Sequence, residues 1–163
     1  MKILVAGLGN PILGDDGAGW QVVKLVKKKL GTEKPFVTFD MFDLAGLSLM
    51  EQMIGYEKAI IVDSMNTGSY PAGTVITCTL DELDKPGIQN FSSAHDISLA
   101  GALTLGRDLG KQLPADQNIM IVGIETEKVF DFSEQLSTVV NASIEPAAAE
   151  VIELLFSTGE SET

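Results

Sequence analysis

Apolar residues in this chain fall into two kinds of run: short continuous blocks, and longer stretches spaced by three and four. Ile3 to Ala6 form a continuous block that ends in Gly7-Leu8-Gly9-Asn10-Pro11, the pattern of a buried strand entering a turn. Val22, Val23, Val26 and Leu30 then recur at helical spacing. Lys27, Lys28 and Lys29 fall in the last turn of that helix, where positive charge complements the dipole, and Gly31 can end it. Phe36 to Phe39 predict a second strand closed by Asp40, and Leu44 to Ile54 a short amphipathic helix ended by Gly55. Ala59 to Val62 predict a third strand, apolar on both faces and therefore central, closed by Asp63. Thr74 to Leu80 alternate and are rich in Val, Ile and Thr, which suits a fourth strand at an edge. A polar loop over 81–92, a helix over about Asp96 to Leu109 and a fifth strand over Asn118 to Val122 follow. The last helix is predicted over Phe132 to Phe156, with residues 157–163 fraying beyond it. Strands alternating with helices predict an α/β fold, a three-layer α/β/α sandwich around a mostly parallel sheet of about five strands. With no internal repeat or linker, residues 1–156 read as one domain.

Composition narrows the classes of function. A chain of 163 residues, 45% hydrophobic, is long enough for one well-formed core. Its net charge is −12, from 23 acidic against 11 basic residues. That balance repels phosphate backbones and anionic lipid, so neither nucleic acid nor a membrane surface is expected as a partner. It is compatible with a cation or a basic peptide, although solubility alone accounts for most such charge. The single cysteine, Cys78, rules out an intrachain disulfide or a thiolate cluster, and its β-branched apolar surroundings predict a buried structural thiol. No apolar stretch approaches the ~20 residues of a membrane span. The first apolar run is broken by glycines and followed by Asp15-Asp16, which argues against a signal peptide. A soluble cytoplasmic protein is the expectation.

Candidate chemistry gathers where such a sheet binds ligands, outside the carboxyl ends of its strands. Asp63 and Asp40 are each predicted at such an end. Asp15 and Asp16 follow the first strand at the start of the first helix, where one is expected to cap and the other to be free. His95 is the only histidine, and Ser93-Ala94-His95-Asp96 fits a capping box that would place it in a first helical turn. The positive helix end there favours neutral imidazole, the form that binds metal. Taken alone, a histidine at a helix start is more often a surface residue than a ligand. Two carboxylates and an imidazole meeting at one rim would form an open oxygen–oxygen–nitrogen site suited to nickel or zinc.

The segment Gly7-Leu8-Gly9-Asn10-Pro11-Ile12-Leu13-Gly14-Asp15-Asp16-Gly17-Ala18-Gly19 resembles the N-terminal signature of hydrogenase maturation proteases. Ile61-Val62-Asp63, Ser93-Ala94-His95, Val122-Gly123-Ile124 and Ser143-Ile144-Glu145-Pro146 are similar to later landmarks of that family. The resemblance implies an endopeptidase that removes a C-terminal extension from a hydrogenase large-subunit precursor after nickel insertion. It implies Asp16, Asp63 and His95 as the metal-binding and catalytic set, with the nickel carried by the precursor and other divalent metals able to substitute. Asp40 is a secondary candidate for binding the scissile peptide. Where the family has Asp-Gly-Gly, this chain reads Asp40-Met41-Phe42, a bulkier cleft. Whether nickel polarises the scissile carbonyl, activates water or only anchors the precursor stays open at this level.

Three other readings compete. Peptidyl-tRNA hydrolase shares Gly-Leu-Gly-Asn-Pro after its first strand, but that enzyme needs a histidine soon afterwards and a basic groove, where this chain has Asp15-Asp16. A dinucleotide-binding module matches only Gly7 and Gly9 of its motif, and two carboxylates would repel a pyrophosphate. A nickel- or precursor-binding maturation factor of the same fold that does not cleave is the third.

Overall fold

The apolar blocks at the start of the chain and near residue 60 become β1 (Ile3–Leu8) and β3 (Lys58–Met65) of the sheet. The computed structural model describes residues 1–32, 34–83, 98–127 and 131–157. With β2 (Val37–Phe42), β4 (Val75–Thr79) and β5 (Ile119–Glu125), the strand order is β2-β1-β3-β5-β4. β3 is central, as its two-faced apolar run predicts. The pairs β1/β2, β1/β3 and β3/β5 are parallel, while the edge strand β4 runs antiparallel to β5.

Alternation along the strands divides the core in two. Ile3, Val5, Ile60, Val62, Val122 and Ile124 pack against α1 (Ala18–Leu30) and α5 (Ile144–Phe156). Leu4, Ala6, Ala59, Ile61, Ile119 and Ile121 pack on the other face with α2 (Gly46–Gln52) and α3 (Leu99–Asp108). These are the three layers of an α/β/α sandwich. Cys78 is buried and free, and burial together with the charge of Glu82 pushes its thiol up to about 11.

Several boundaries differ from the sequence expectation, for physical reasons. Strands β1, β2, β3 and β5 run two to three residues past their apolar blocks, because ladder pairing such as Leu8 with Phe42 and Met65 with Glu125 continues beyond them. Asp40 and Asp63 therefore lie inside strands rather than closing them. Helix α3 is capped by Ser98, whose hydroxyl accepts the Gly101 N–H at 3.1 Å, so it begins after the expected box at Ser93–Asp96. Residues 93–96 themselves, and most of the expected polar loop, lie outside the described residues.

The single C-terminal helix expected from Phe132 onward is instead two. A short α4 (Thr138–Asn141) is capped by Ser137, and α5 restarts at Ile144. Pro146 explains the break: its ring would strike the carbonyl four residues back, whereas in the first turn of a new helix its missing N–H costs nothing. The expected fraying over 158–163 lies outside the described residues. No described helix is long and apolar enough to cross a membrane.

Candidate functional site

Close backbone packing brings the candidate carboxylates to one edge. A β-carbon on Gly7 would lie 2.5 Å from the Gly19 carbonyl oxygen, and one on Gly19 would strike the carbonyls of Leu8 and Val62. Their absence lets the first turn of α1 rest directly on the carboxyl ends of β1 and β3. Gly9 supplies the positive φ of 123° that turns the chain out of β1, at a point where a side chain would overlap the Asp16 carbonyl. The loop is then cinched by its own polar groups. Asn10 accepts the Ile12 N–H on Oδ1 at 3.1 Å and donates its backbone N–H to Asp16 Oδ2 at 2.8 Å.

Asp16 also accepts the Ser64 hydroxyl at 3.3 Å, which ties it to the residue following Asp63 on the central strand. Asp63 is half-buried within β3. Its carboxyl is pushed up to about 8, first by burial and second by the charge of Asp16, against a smaller opposing effect of the Ser64 backbone. Asp63 has the parity of Ala59 and Ile61, which places it on the α2/α3 face of the sheet. Two of the residues singled out from the sequence thus interact electrostatically across 47 positions of chain.

The remaining candidates are placed differently. Asp15 does not cap a helix: its Oδ1 accepts the Ser137 N–H at 2.7 Å and pins the 131–137 segment to the loop. Neither Asp15 nor Asp16 forms a side-chain cap, since the turn over Gly14–Gly17 and α1 both start without one. Asp40 is exposed on edge strand β2, where its Oδ1 accepts the Met41 N–H. The residue of β2 level with Asp63 is Phe42, so Asp40 lies two residues short of the site. His95 lies outside the described residues. Among the described residues no group of three or more His, Cys, Asp or Glu is arranged to hold a metal ion.

Sequence reasoning missed Glu125. It ends β5 opposite Met65 and is only 2% exposed. Its Oε1 accepts the backbone N–H groups of Thr67 and Gly68, each at 2.9 Å, and its Oε2 accepts the Thr67 hydroxyl at 3.0 Å. This buried carboxylate holds the chain where it leaves the strand that carries Asp63. The available signal was an acidic residue closing the apolar run Ile119–Ile124, but the run was expected to end at Val122.

Fold and site together define an α/β protein whose polar centre is a pair of interacting carboxylates at the carboxyl edge of its central strands. Residues 21–154 match the HycI hydrogenase maturation protease family model, and the chain belongs to that family. It is 27% identical to the hydrogenase 2 maturation protease of Escherichia coli, over 98% of this chain and 93% of that protein. The solved structure of the E. coli hydrogenase maturating endopeptidase HybD is similar with a TM-score of 0.76 at 27% identity, covering 98% of this chain and 94% of the other. A hydrogenase 2 maturation peptidase from a Thaumarchaeota archaeon is similar with a TM-score of 0.63 at 26% identity, covering 95% and 98%. The chain is an endopeptidase of hydrogenase maturation. That membership disposes of the peptidyl-tRNA hydrolase and dinucleotide-binding readings.

Proposed function

We propose that this endopeptidase removes the C-terminal extension of a nickel-loaded hydrogenase large-subunit precursor, and that it recognises the nickel through Asp16, Asp63 and His95. The observation that carries this reading is the Asp16–Asp63 pair. Burial and the charge of Asp16 hold a proton on Asp63 up to about pH 8, so the pair opposes its own second negative charge. A divalent cation between the carboxylates relieves both effects. Carboxylate oxygens with one imidazole nitrogen suit nickel, and other divalent ions of similar preference would substitute. His95 enters through the family resemblance, and the chain reaches α3, which covers the Asp63 face of the sheet, three residues after it at Ser98.

In this scheme the nickel belongs to the precursor, and the protease residues orient it. Asn10 and Ser64 fix the rotamer of Asp16 through its two oxygens, while Glu125 steadies the exit of β3. The docked ion would polarise the scissile carbonyl or activate a water, or would only anchor the precursor while a carboxylate serves as base. Substituting Asp16→Ala or His95→Ala is expected to abolish processing while the fold is retained. Mass spectrometry of nickel-loaded precursor incubated with each variant provides the test. Cleavage at the wild-type rate by either one rejects the assignment.

A further inference from the structure

Segment 131–137 is strapped to the loop that carries Asp16 and displays side chains that the fold does not use. Gly14 donates its N–H to the Ser133 carbonyl at 2.7 Å, and Ser133 donates to the Ile12 carbonyl at 2.9 Å. Leu13 and Ser133 form a parallel bridge, and Asp15 accepts from Ser137. On this pinned framework Phe132 is 87% exposed, and Ile12, its neighbour across the bridge, is 47% exposed. An aromatic ring held in water on a fixed backbone adds nothing to the core.

Beginning two residues beyond Phe132, an open groove of about 390 Å³ is lined by Gln21, Glu134, Gln135, Leu136, Asn141 and Ile144. The side chains of Gln21, Glu134, Gln135 and Asn141 have no hydrogen-bond or ion-pair partner among the described residues, and neither does that of Asp131. Amides of this kind pair with both groups of a peptide backbone. The charge on the loops beside them has one sign. The described loops at the carboxyl edge, 9–17, 43–45, 66–74, 125–127 and 131–137, contain no Lys or Arg, while Asp15, Asp16, Asp43, Glu127, Asp131 and Glu134 all fall in them. Lys85 and Lys128 lie outside the described residues; of the others, Lys24 packs over Trp20, whose indole bonds the Phe42 carbonyl, and Lys29 is paired with Glu145 beside Ile144.

We infer that Ile12, Phe132 and the groove beyond them dock an extended segment of the substrate protein in which an apolar side chain neighbours Lys or Arg. The apolar residue packs on Phe132 and Ile12, its backbone meets the amides, and the cation faces Asp131 and Glu134. This rests on the reading of the precursor as substrate and adds a contact that does not involve the nickel. An acidic rim around an aromatic anchor selects against anionic segments by repulsion as well as for cationic ones by attraction.

Steady-state cleavage of purified nickel-loaded precursor by the full chain tests the inference. Phe132→Ser and Glu134→Lys change exposed side chains, so folding is expected to survive, and circular dichroism checks that it does. Each substitution is expected to raise KM roughly tenfold or more, with kcat changed by less than about twofold. Binding of nickel-free precursor is expected to weaken in parallel, because the contact is independent of the ion. Wild-type kinetics in both variants overturns the docking surface while leaving the functional reading intact. Failure of the wild-type protein to cleave the precursor overturns the functional reading, and the docking assignment with it. Loss of self-association in Phe132→Ser, with KM unchanged, would mean that a second copy of this chain covers the patch, and would also overturn the inference.

Discussion

The Asp63 carboxyl keeps its proton up to about pH 8 because burial and the Asp16 charge both oppose ionisation. In the unfolded chain the same group loses its proton near 3.8. Between these values the folded state binds one proton more than the unfolded state, so stability falls as pH rises from about 4 to about 8 and levels off above. Asp63→Asn removes that proton release. Without metal, the variant is expected to melt on the order of 5 °C above the wild type at pH 8. The two proteins should converge near pH 4, and thermal melts across the range make the comparison. An equal gap at both ends would show that something other than this ionisation sets the difference. Asp16 differs in that its two oxygens have specific partners, the Asn10 amide and the Ser64 hydroxyl. One carboxylate is positioned by hydrogen bonds and the other is held neutral by its surroundings, a division of labour that a cation would reverse.

At the scale of elements, the site depends on how strands end and helices begin. Glu125 gathers two backbone N–H groups and one hydroxyl from the segment after β3, which fixes the exit of the strand carrying Asp63. Glu125→Ala leaves those part-buried donors without their acceptor, at an expected cost of roughly 1–3 kcal/mol. Urea unfolding measures the loss, and hydrogen exchange at the Thr67 and Gly68 amides locates it. Unchanged exchange at those two positions would remove Glu125 from this role. At the opposite edge, Lys58 donates to the Leu154 carbonyl at 2.6 Å and ties the start of β3 to the last turn of α5. Its ammonium is buried, which lowers its pKa. The central strand that carries Asp63 is therefore anchored at both ends by polar contacts.

Across the whole molecule, charge is unevenly spread. The described carboxyl-edge loops carry acid without Lys or Arg, and the net charge of −12 adds a long-range field. A cationic precursor segment would be steered to the site, and salt would screen that attraction. The value of kcat/KM for precursor cleavage is thus expected to fall several-fold between about 50 mM and about 300 mM salt, carried by KM rather than kcat. Glu134→Lys should flatten the dependence. A wild-type rate insensitive to salt would show that the acidic rim serves solubility alone.

The layered α/β architecture was legible in the chain because hydrophobic periodicity is a local property. Short continuous blocks at Ile3–Ala6 and Ala59–Val62, closed by turn or acidic residues, read as buried strands, spaced valines at 22, 23 and 26 make a helix face, and β4 alternates as an edge strand does. Its antiparallel direction, the break before α5 and the extra length of the strands were not legible, since ladder pairing and turn geometry depend on neighbours distant in sequence. The same holds for the site. Asp16 and Asp63 could be nominated from the residues that precede them, yet their mutual repulsion exists only because Gly7, Gly9 and Gly19 let α1 settle onto the backbone of β1 and β3. The sequence by itself determined the apolar blocks that become strands and helix faces, and it nominated Asp16 and Asp63 but not Glu125. The tertiary structure alone decided which of those carboxylates meet, which one straps a neighbouring segment and which is buried as an anchor, because each is a matter of distance between parts of the chain that carry no local record of one another.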